Sequence, residues 1–422
     1  MRIGYLVPEF PGQTHIFFWR ERESLARLGV ACDLVSTRKP AQKLISHTWS
    51  QAAMRDTRYL SPLGVRGLLS AIATLARSGP RGIGRTVGAI LRADVRGLRQ
   101  RLRLVGLALT GAHLASIARR NNWTHLHAHS CGDSAHVALF AQLIGRVPYS
   151  MTLHGPLSDY GPNQAMKWRH AAFGIVITKR LFGELYAAIP DLAPGKVDIA
   201  PMGVDTDRFR RSRPYSPWKG EGPFRIFSCG RLNPCKGHDD LIRAVARLRA
   251  AGINATVSIA GADDTGGWYQ AQLTALIGEL KLQQAVSLLG AVAEDEVMRG
   301  LEAAHTFSLA SLNEPLGVAI MEAMSLELPV VVTKGGGVQE LVTDSRDGLL
   351  VEARNPEELA SGLQFVATHP DDALALATAA RQRIVDSFQS TQSARTLALR
   401  LGAGSAAAAP AEEQHCPPDV LQ

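Results

Sequence analysis

The chain opens on Met1-Arg2-Ile3-Gly4-Tyr5-Leu6-Val7 and continues through Pro8-Glu9-Phe10-Pro11-Gly12-Gln13-Thr14. An amphipathic run over residues 16–28 follows, Gly29 stops it, and residues 30–35 turn apolar again. In order these read as a buried strand, a Pro/Gly loop, a helix and a second strand. Such alternation predicts a parallel sheet with helices on both faces. It resumes at Leu126-His127-Ala128-His129, at 149–154 and at 174–178. A second series begins at Phe224, with strands predicted at 225–229, 255–260, 285–289, 306–309 and 329–332 and a helix over 237–251. Residues 208–223, rich in Arg, Pro and Ser, read as a linker between the two series. The expected fold is therefore α/β, with two Rossmann-like doubly wound domains, residues 1–207 and 224–384, facing a central cleft. A helical pattern over 370–400 suggests a C-terminal helix (385–401) that returns to the first domain, and residues 402–422 read as a disordered tail.

A length of 422 residues accommodates such a pair of domains, and 46% hydrophobic with 20% charged residues is an ordinary balance for sizeable cores. Cys32, Cys131, Cys229, Cys235 and Cys416 are odd in number and lack CxxC spacing, which argues for reduced thiols rather than disulfides or zinc. The first strand is interrupted too early for a signal peptide. The longest apolar run, 104–118, contains His113 and falls short of the ~20 residues of a membrane span. A cytoplasmic location is expected.

Two loops carry the chemistry. Asn313-Glu314-Pro315-Leu316-Gly317-Val318-Ala319-Ile320-Met321-Glu322-Ala323-Met324 sets two glutamates eight apart, a strand before the first and a helix bearing the second. With Pro315 at the helix start, the free amides of Leu316, Gly317 and Val318 would face an anion such as a diphosphate, and Glu322 could accept from a ribose diol. The same segment also reads as a capped amphipathic helix with surface glutamates. Gly230-Arg231-Leu232-Asn233-Pro234-Cys235-Lys236-Gly237 lies between a strand and a helix. Its arginine and lysine suit a diphosphate as fork and point charge and would stabilise it as a leaving group. A solvated basic turn is the alternative.

These two segments, the Gly335-Gly336-Gly337-Val338-Gln339-Glu340-Leu341 turn and Ala200-Pro201-Met202-Gly203-Val204-Asp205-Thr206-Asp207-Arg208-Phe209 together resemble the retaining nucleotide-sugar glycosyltransferases of family 4. The first loop, from Pro8 to Thr14, is similar to members that build exopolysaccharide or colanic-acid-type units. The resemblance implies the GT-B fold and a role for each matched residue. Glu314 would contact donor-sugar hydroxyls and help hold the reacting centre, and Glu322 would bind the ribose. Arg231 and Lys236 would hold the diphosphate, Gly12 would let backbone approach it, and His154 would lie near the anomeric carbon. It further implies a hexosyltransferase-type reaction in which the linkage keeps the donor's α configuration. The co-substrate would be a nucleotide-diphosphate sugar, the acceptor a glycan or lipid-linked precursor, and no metal would be required. Asp205-Thr206-Asp207 sits in the junction motif and reads as a structural turn rather than a metal-binding pair. His127 and His129 alternate and are expected on opposite faces, one internal and one toward the acceptor cleft, with a metal site conceivable. Glu327 stands where the family usually has a small residue, often glycine, and suggests a slightly altered turn.

The net charge of +8 is concentrated in residues 55–104, read as an arginine-rich helical segment of the first domain, which hold eleven arginines and two aspartates. Arg92, Arg96, Arg99 and Arg103 are expected on one helical stripe beside Leu91, Val95, Leu98, Leu102 and Val105. A basic amphipathic helix of this kind suits the anionic inner face of the cytoplasmic membrane, near lipid-linked acceptors. Packing on the first domain is the plainer use of it, and scarce aromatic residues argue against nucleic acid. Two other functions fit the two-domain build: a nucleotide-sugar 2-epimerase, or a degenerate protein that only binds nucleotide sugar or a partner enzyme. The Glu314/Glu322 pair with the Arg231/Lys236 clamp favours transfer over both.

Overall fold

The computed structural model describes residues 1–12, 15–40 and 48–403. Seven parallel strands form the first sheet: β1 (Arg2–Glu9), β2 (Ala31–Arg38), β3 (Arg58–Ser61), β4 (His125–His129), β5 (Tyr149–Leu153), β6 (Gly174–Val176) and β7 (Val197–Ile199). Their spatial order is β3-β2-β1-β4-β5-β6-β7. The connecting helices are α1 (Ile16–Arg27), α2 (Thr48–Asp56), α3 (Val65–Arg77), α4 (Gly79–Arg92), α5 (Gly97–Arg120), α6 (Asp133–Gly145), α7 (Gln164–His170) and α8 (Lys179–Ala188). Every residue of β4 and β5 is buried, as expected of central parallel strands covered on both faces.

The second sheet has six parallel strands: β8 (Phe224–Cys229), β9 (Ala255–Ala260), β10 (Val286–Gly290), β11 (Thr306–Leu309), β12 (Val330–Thr333) and β13 (Leu349–Val351). Their order is β10-β9-β8-β11-β12-β13. Around it lie α9 (His238–Ala250), α10 (Trp268–Glu279), α11 (Glu294–Ala303), α12 (Val318–Ser325), α13 (Val338–Leu341), α14 (Pro356–Thr368) and α15 (Pro370–Ser387). The chain then crosses back. Val204 accepts from the Ser390 amide and donates to Phe388, both at 2.9 Å, and α16 (Thr391–Arg400) joins the first domain's core through Ala394, Leu397 and Ala398. Arg400 locks that return onto Asp198 of β7 at 2.5 and 2.8 Å. The tail expected to be disordered lies, from residue 404, outside the described residues.

Three local expectations need correction or completion. Residues 58–61, inside the arginine-rich stretch, are an edge strand rather than helix. The single stripe through Arg92 and Arg103 does not exist, because the helix breaks between α4 and α5. Ala93 and Arg96 are extended there, and Gly97 at φ +76 starts the next helix. The apolar pattern survives the break. Ten of the seventeen large apolar side chains exposed among the described residues fall between Val65 and Val105, on α3, α4 and α5, which touch one another. Glu327 itself takes φ +50, the left-handed conformation that favours glycine, and pairs with Arg381 at 3.5 Å. Residues 208–223 are stitched to the second domain, with Arg211 bonding the carbonyls of Glu302 and Leu326 and Tyr215 that of His305. The Asp205 carboxylate accepts from the amides of Asp207 and Arg208 at 3.1 Å, which makes it a turn.

The crossing depends on backbone meeting backbone at Gly203, where an added Cβ would stand 2.3 Å from the Gln389 carbonyl carbon. Neither side can yield as a flexible side chain would. Gly203→Ala is expected to cost about 1–3 kcal/mol and to lower the thermal unfolding midpoint. An unchanged midpoint would show that the returning segment is not seated there.

Candidate functional site

Each sheet reverses its strand order once, between β1 and β4 and between β8 and β11. At such a point adjacent connections leave on opposite faces, and a crevice opens beyond the carboxyl ends of the strands. The two crevices face each other across a cavity of about 620 Å³. Pro8 and Glu9 of β1, Ser130 after β4, Cys229 and Gly230 at the end of β8 and Leu309 of β11 all line it. So do His154, Arg231, Lys236, Glu314, Leu316, Gly317, Val318 and Glu322, eight of the nine residues singled out from sequence. Gly12 is the ninth and is not on the wall. It caps the turn into α1, accepting from the His15 amide at 3.1 Å, and it is the His15 ring that reaches the cavity.

On the second domain's side, Glu314 is fixed twice. Its backbone bonds the glycine turn, donating to Gly335 at 3.3 Å and accepting from Gly337 at 2.8 Å. A Cβ on Gly336, at φ +76, would stand 2.1 Å from the Glu314 carbonyl oxygen, so only glycine lets the strands come this close. Its side chain accepts from Lys236 Nζ and, at 3.1 Å, from Ser311. Arg231 is held by Asp264 at 2.5 Å, a carboxylate that Asn233 also bonds. The helix bearing Glu322 starts later than expected. Gly317 is the N-cap at φ +98 and Val318 the first helical residue, so Pro315 lies in the preceding loop. The free helical amides are those of Gly317, Val318, Ala319 and Ile320, and the Leu316 amide belongs to the loop.

On the first domain's side, His154 follows β5 and its Nε2 lies 3.0 Å from His129 Nδ1. Phe17 and Phe18 flank the ring with centroids 5.5 and 5.4 Å away. His129 Nε2 in turn lies 3.1 Å from Glu21 Oε2, which accepts from Tyr5 at 2.5 Å. His127 and His129 share one face of β4, contrary to expectation, because residues two apart in a strand point the same way. Their rings sit 4.6 Å apart, His127 wholly internal and His129 against His154. Glu21, His127 and His129 offer ligand atoms within 4.8 Å of one another, a possible metal-holding set. The same atoms have protein partners: Ser150 and Thr152 take both His127 nitrogens, at 2.8 and 3.0 Å.

Sequence reasoning missed Arg20, Glu21, Glu294 and Asp264. Glu294 lines the cavity, and Arg20 bridges it to Glu322. Trp19-Arg20-Glu21-Arg22-Glu23 resembles a solvated charged face, yet Arg20 and Glu21 are buried. The available signal was position: they fall three and four residues from Phe17 and Leu25 on the inward stripe of α1. Burial raises the Glu322 carboxyl to about 7, with Arg20 opposing and Glu294 adding to the rise.

Burial also holds the histidines neutral, His129, His136 and His154 at about 3 and His15, His125 and His238 at about 4. The unfolded chain takes up protons below ~6.5 that the folded chain refuses. The stability they contribute is complete above that pH and is lost as pH falls toward 3, at up to about 1.4 kcal/mol per pH unit for each. Thermal unfolding followed by circular dichroism is expected to show a midpoint that drops steeply from pH 6.5 to 4.5. A flat profile would mean that these rings are solvated.

Residues 213–383 match the family described as glycosyl transferases, group 1. The putative colanic acid biosynthesis glycosyltransferase WcaL of Salmonella typhimurium is 30% identical over 252 residues, 58% of this chain and 60% of that protein's length. Its Escherichia coli counterpart is 28% identical over 333 residues, covering 69% of this chain and 80% of the relative. Among solved structures, Anabaena HepE in complex with UDP and glucose superposes with a TM-score of 0.72 at 19% identity, over 95% of this chain and 99% of that one. Sucrose-phosphate synthase from Thermosynechococcus elongatus gives 0.70 at 18% identity over 96% and 100%. At such identities the structural likenesses speak to fold alone. Two facing doubly wound sheets give the chain the GT-B fold, and its second half, residues 213–383, matches the group 1 glycosyl transferases.

Proposed function

We propose that the protein is a retaining hexosyltransferase. It would move a sugar from a nucleotide-diphosphate donor to a lipid-linked or polysaccharide-precursor acceptor in cell-surface polysaccharide synthesis. The observation that carries this reading is the cavity wall: two cations and the free amides of one helix on one side, a neutral histidine on the other. In this reading Arg231, Lys236 and the amides of Gly317 and Val318 bind the donor diphosphate, and Glu322 accepts from the ribose hydroxyls. Glu314, paired with Lys236, accepts from donor-sugar hydroxyls. The bond between the anomeric carbon and the diphosphate oxygen breaks as the cations take up the departing charge. The acceptor oxygen bonds to the same face of that carbon, which retains configuration. His154 presents Nδ1, a buried atom without a hydrogen bond among the described residues, as a partner for a sugar hydroxyl.

A nucleotide-sugar partner is further supported by HepE, solved with UDP-glucose as well as with UDP, and the polysaccharide context by the WcaL relatives and an amylovoran glycosyltransferase of Erwinia amylovora. The reaction as written needs no metal. Among the described residues no helix is long and apolar enough to cross a membrane. The exposed apolar side chains of α3, α4 and α5, set among arginines, suit a peripheral seat on an anionic cytoplasmic membrane face. At the break between α4 and α5 the Asp94 amide donates to Asn163, nine residues beyond His154 and three beyond Tyr160 of the cavity wall. A lipid-linked acceptor would thus enter from the surface on which the protein rests.

The primary test is transfer of labelled sugar from uridine, guanosine and adenosine diphosphate sugars into a membrane fraction, with a thermal-shift screen for the bound donor. Lys236→Ala is expected to lower kcat/KM by at least about a hundredfold, through lost leaving-group stabilisation. Wild-type-like transfer by that variant would remove the proposed mechanism. For the membrane seat, Leu69→Glu combined with Leu98→Glu is expected to abolish flotation with phosphatidylglycerol vesicles while leaving the nucleotide-induced thermal shift intact. Undiminished flotation would place the contact elsewhere.

A further inference from the structure

Arg20 stands on α1 of the first domain, but its partners belong to the second. Its Nη2 donates to Glu294 Oε1 at 2.9 Å, and its Nη1 lies 3.5 Å from Glu322 Oε1. The guanidinium also covers the ring of Phe209, Cζ standing 4.9 Å from the centroid. The side chain is 7% exposed. Glu294 and Glu322 line the cavity and Arg20 does not, so the cation meets the Glu322 carboxylate from behind the wall. It engages Oε1, and among the described residues Oε2 makes no hydrogen bond.

We propose that Arg20 is a positioning residue for the nucleotide: it engages one oxygen of Glu322, favours the carboxylate over the acid, and leaves the other oxygen free for the ribose diol. This rests on the donor reading above, in which Glu322 takes the ribose. Because the cation comes from the opposite domain, the ribose site is complete only when the two domains are together. An ionised carboxylate accepts from both ribose hydroxyls, whereas a protonated one keeps a hydrogen of its own and accepts more weakly. The groups that face Glu322 are Arg20 from α1, Arg208 from the linker, Glu294 from α11 and Cys229 from β8. With Arg20 in place, burial still raises its carboxyl to about 7. Arg20 is the largest force holding it down, so without that cation the carboxyl rises further, by about one to two pH units.

The test is calorimetric titration of the full chain with uridine, guanosine and adenosine diphosphates between pH 7 and 9, with inorganic pyrophosphate as a ligand without ribose. Arg20→Gln is expected to weaken nucleotide binding about tenfold at pH 7 and to regain affinity to within about twofold by pH 9. Arg20→Lys, which keeps the charge, is expected to restore most of the affinity at pH 7. Pyrophosphate binding should be the same in all variants, and in a Glu322→Gln background Arg20→Gln should cause no further loss. A pH-independent loss, an equal loss for pyrophosphate, or no loss at all would overturn the proposal. If Arg20→Gln fails to fold, Glu322→Gln with and without Arg20→Gln, neither of which leaves the Glu322 charge buried without its cation, and Arg20→Lys still decide the matter. Wild-type protein that binds no nucleotide, or Glu322→Gln that binds as tightly as wild type, would instead sink the donor reading.

Discussion

Buried carboxylates between the two sheets must be neutralised, and the arrangement of the site follows from how the chain does it. Glu294, Glu314 and Glu322 all line the cavity, and a carboxylate withdrawn from water is costly unless cations and hydrogen-bond donors surround it. Lys236 and Ser311 meet Glu314 from within the second domain. Arg20 meets Glu322 and Glu294 from the first, and Arg208 of the linker reaches Glu294 at 2.7 Å. One domain thus supplies the acids and the other a cation they need. The junction is an ionic joint as well as a packing contact.

That joint is possible because both sheets are parallel and both aim their carboxyl ends inward. Parallel strands need crossover helices, which occupy the faces and leave the strand ends as the place where loops meet. Helix α1 takes part on both sides. Arg20 looks into the second domain, while its neighbour Glu21 stands beside His129 and Tyr5 in the first. The Glu21, His129 and His154 series therefore shares its helix with the ionic joint, and any shift of α1 moves both walls of the cavity. Helix α16, packed on α1 and tied to Asp198, fixes that helix from outside.

Much of this was legible in the chain. Strands β9 and β11 occupy the residues read for them, 255–260 and 306–309, because each is a short uncharged run in which Thr and Ser alternate with apolar residues. The loops holding Arg231, Lys236, Glu314 and Glu322 were also legible, since glycine and proline punctuate them and their charged residues stand alone between apolar runs. Errors arose where local pattern met tertiary demand. The stripe through Arg92 and Arg103 has faultless helical spacing, yet Gly97 and the bond from Asp94 to Asn163 break the helix there. Pro315 is a natural first helical residue, but the Gly335–Gly337 turn claims the backbone around it and delays the helix to Val318.

Periodicity and punctuation by themselves determined the alternation of strands and helices, the two parallel sheets and the motifs at strand ends, because these depend on which residues lie within a few positions of one another. Only the tertiary structure decided that Arg20 is buried, that its partners lie 274 and 302 residues away, and that one cavity joins both strand-order reversals. The reason is electrostatic: a charge in sequence carries no mark of the dielectric around it. Whether an arginine is a solvated surface group or the counter-ion of a buried acid is settled by what folds over it.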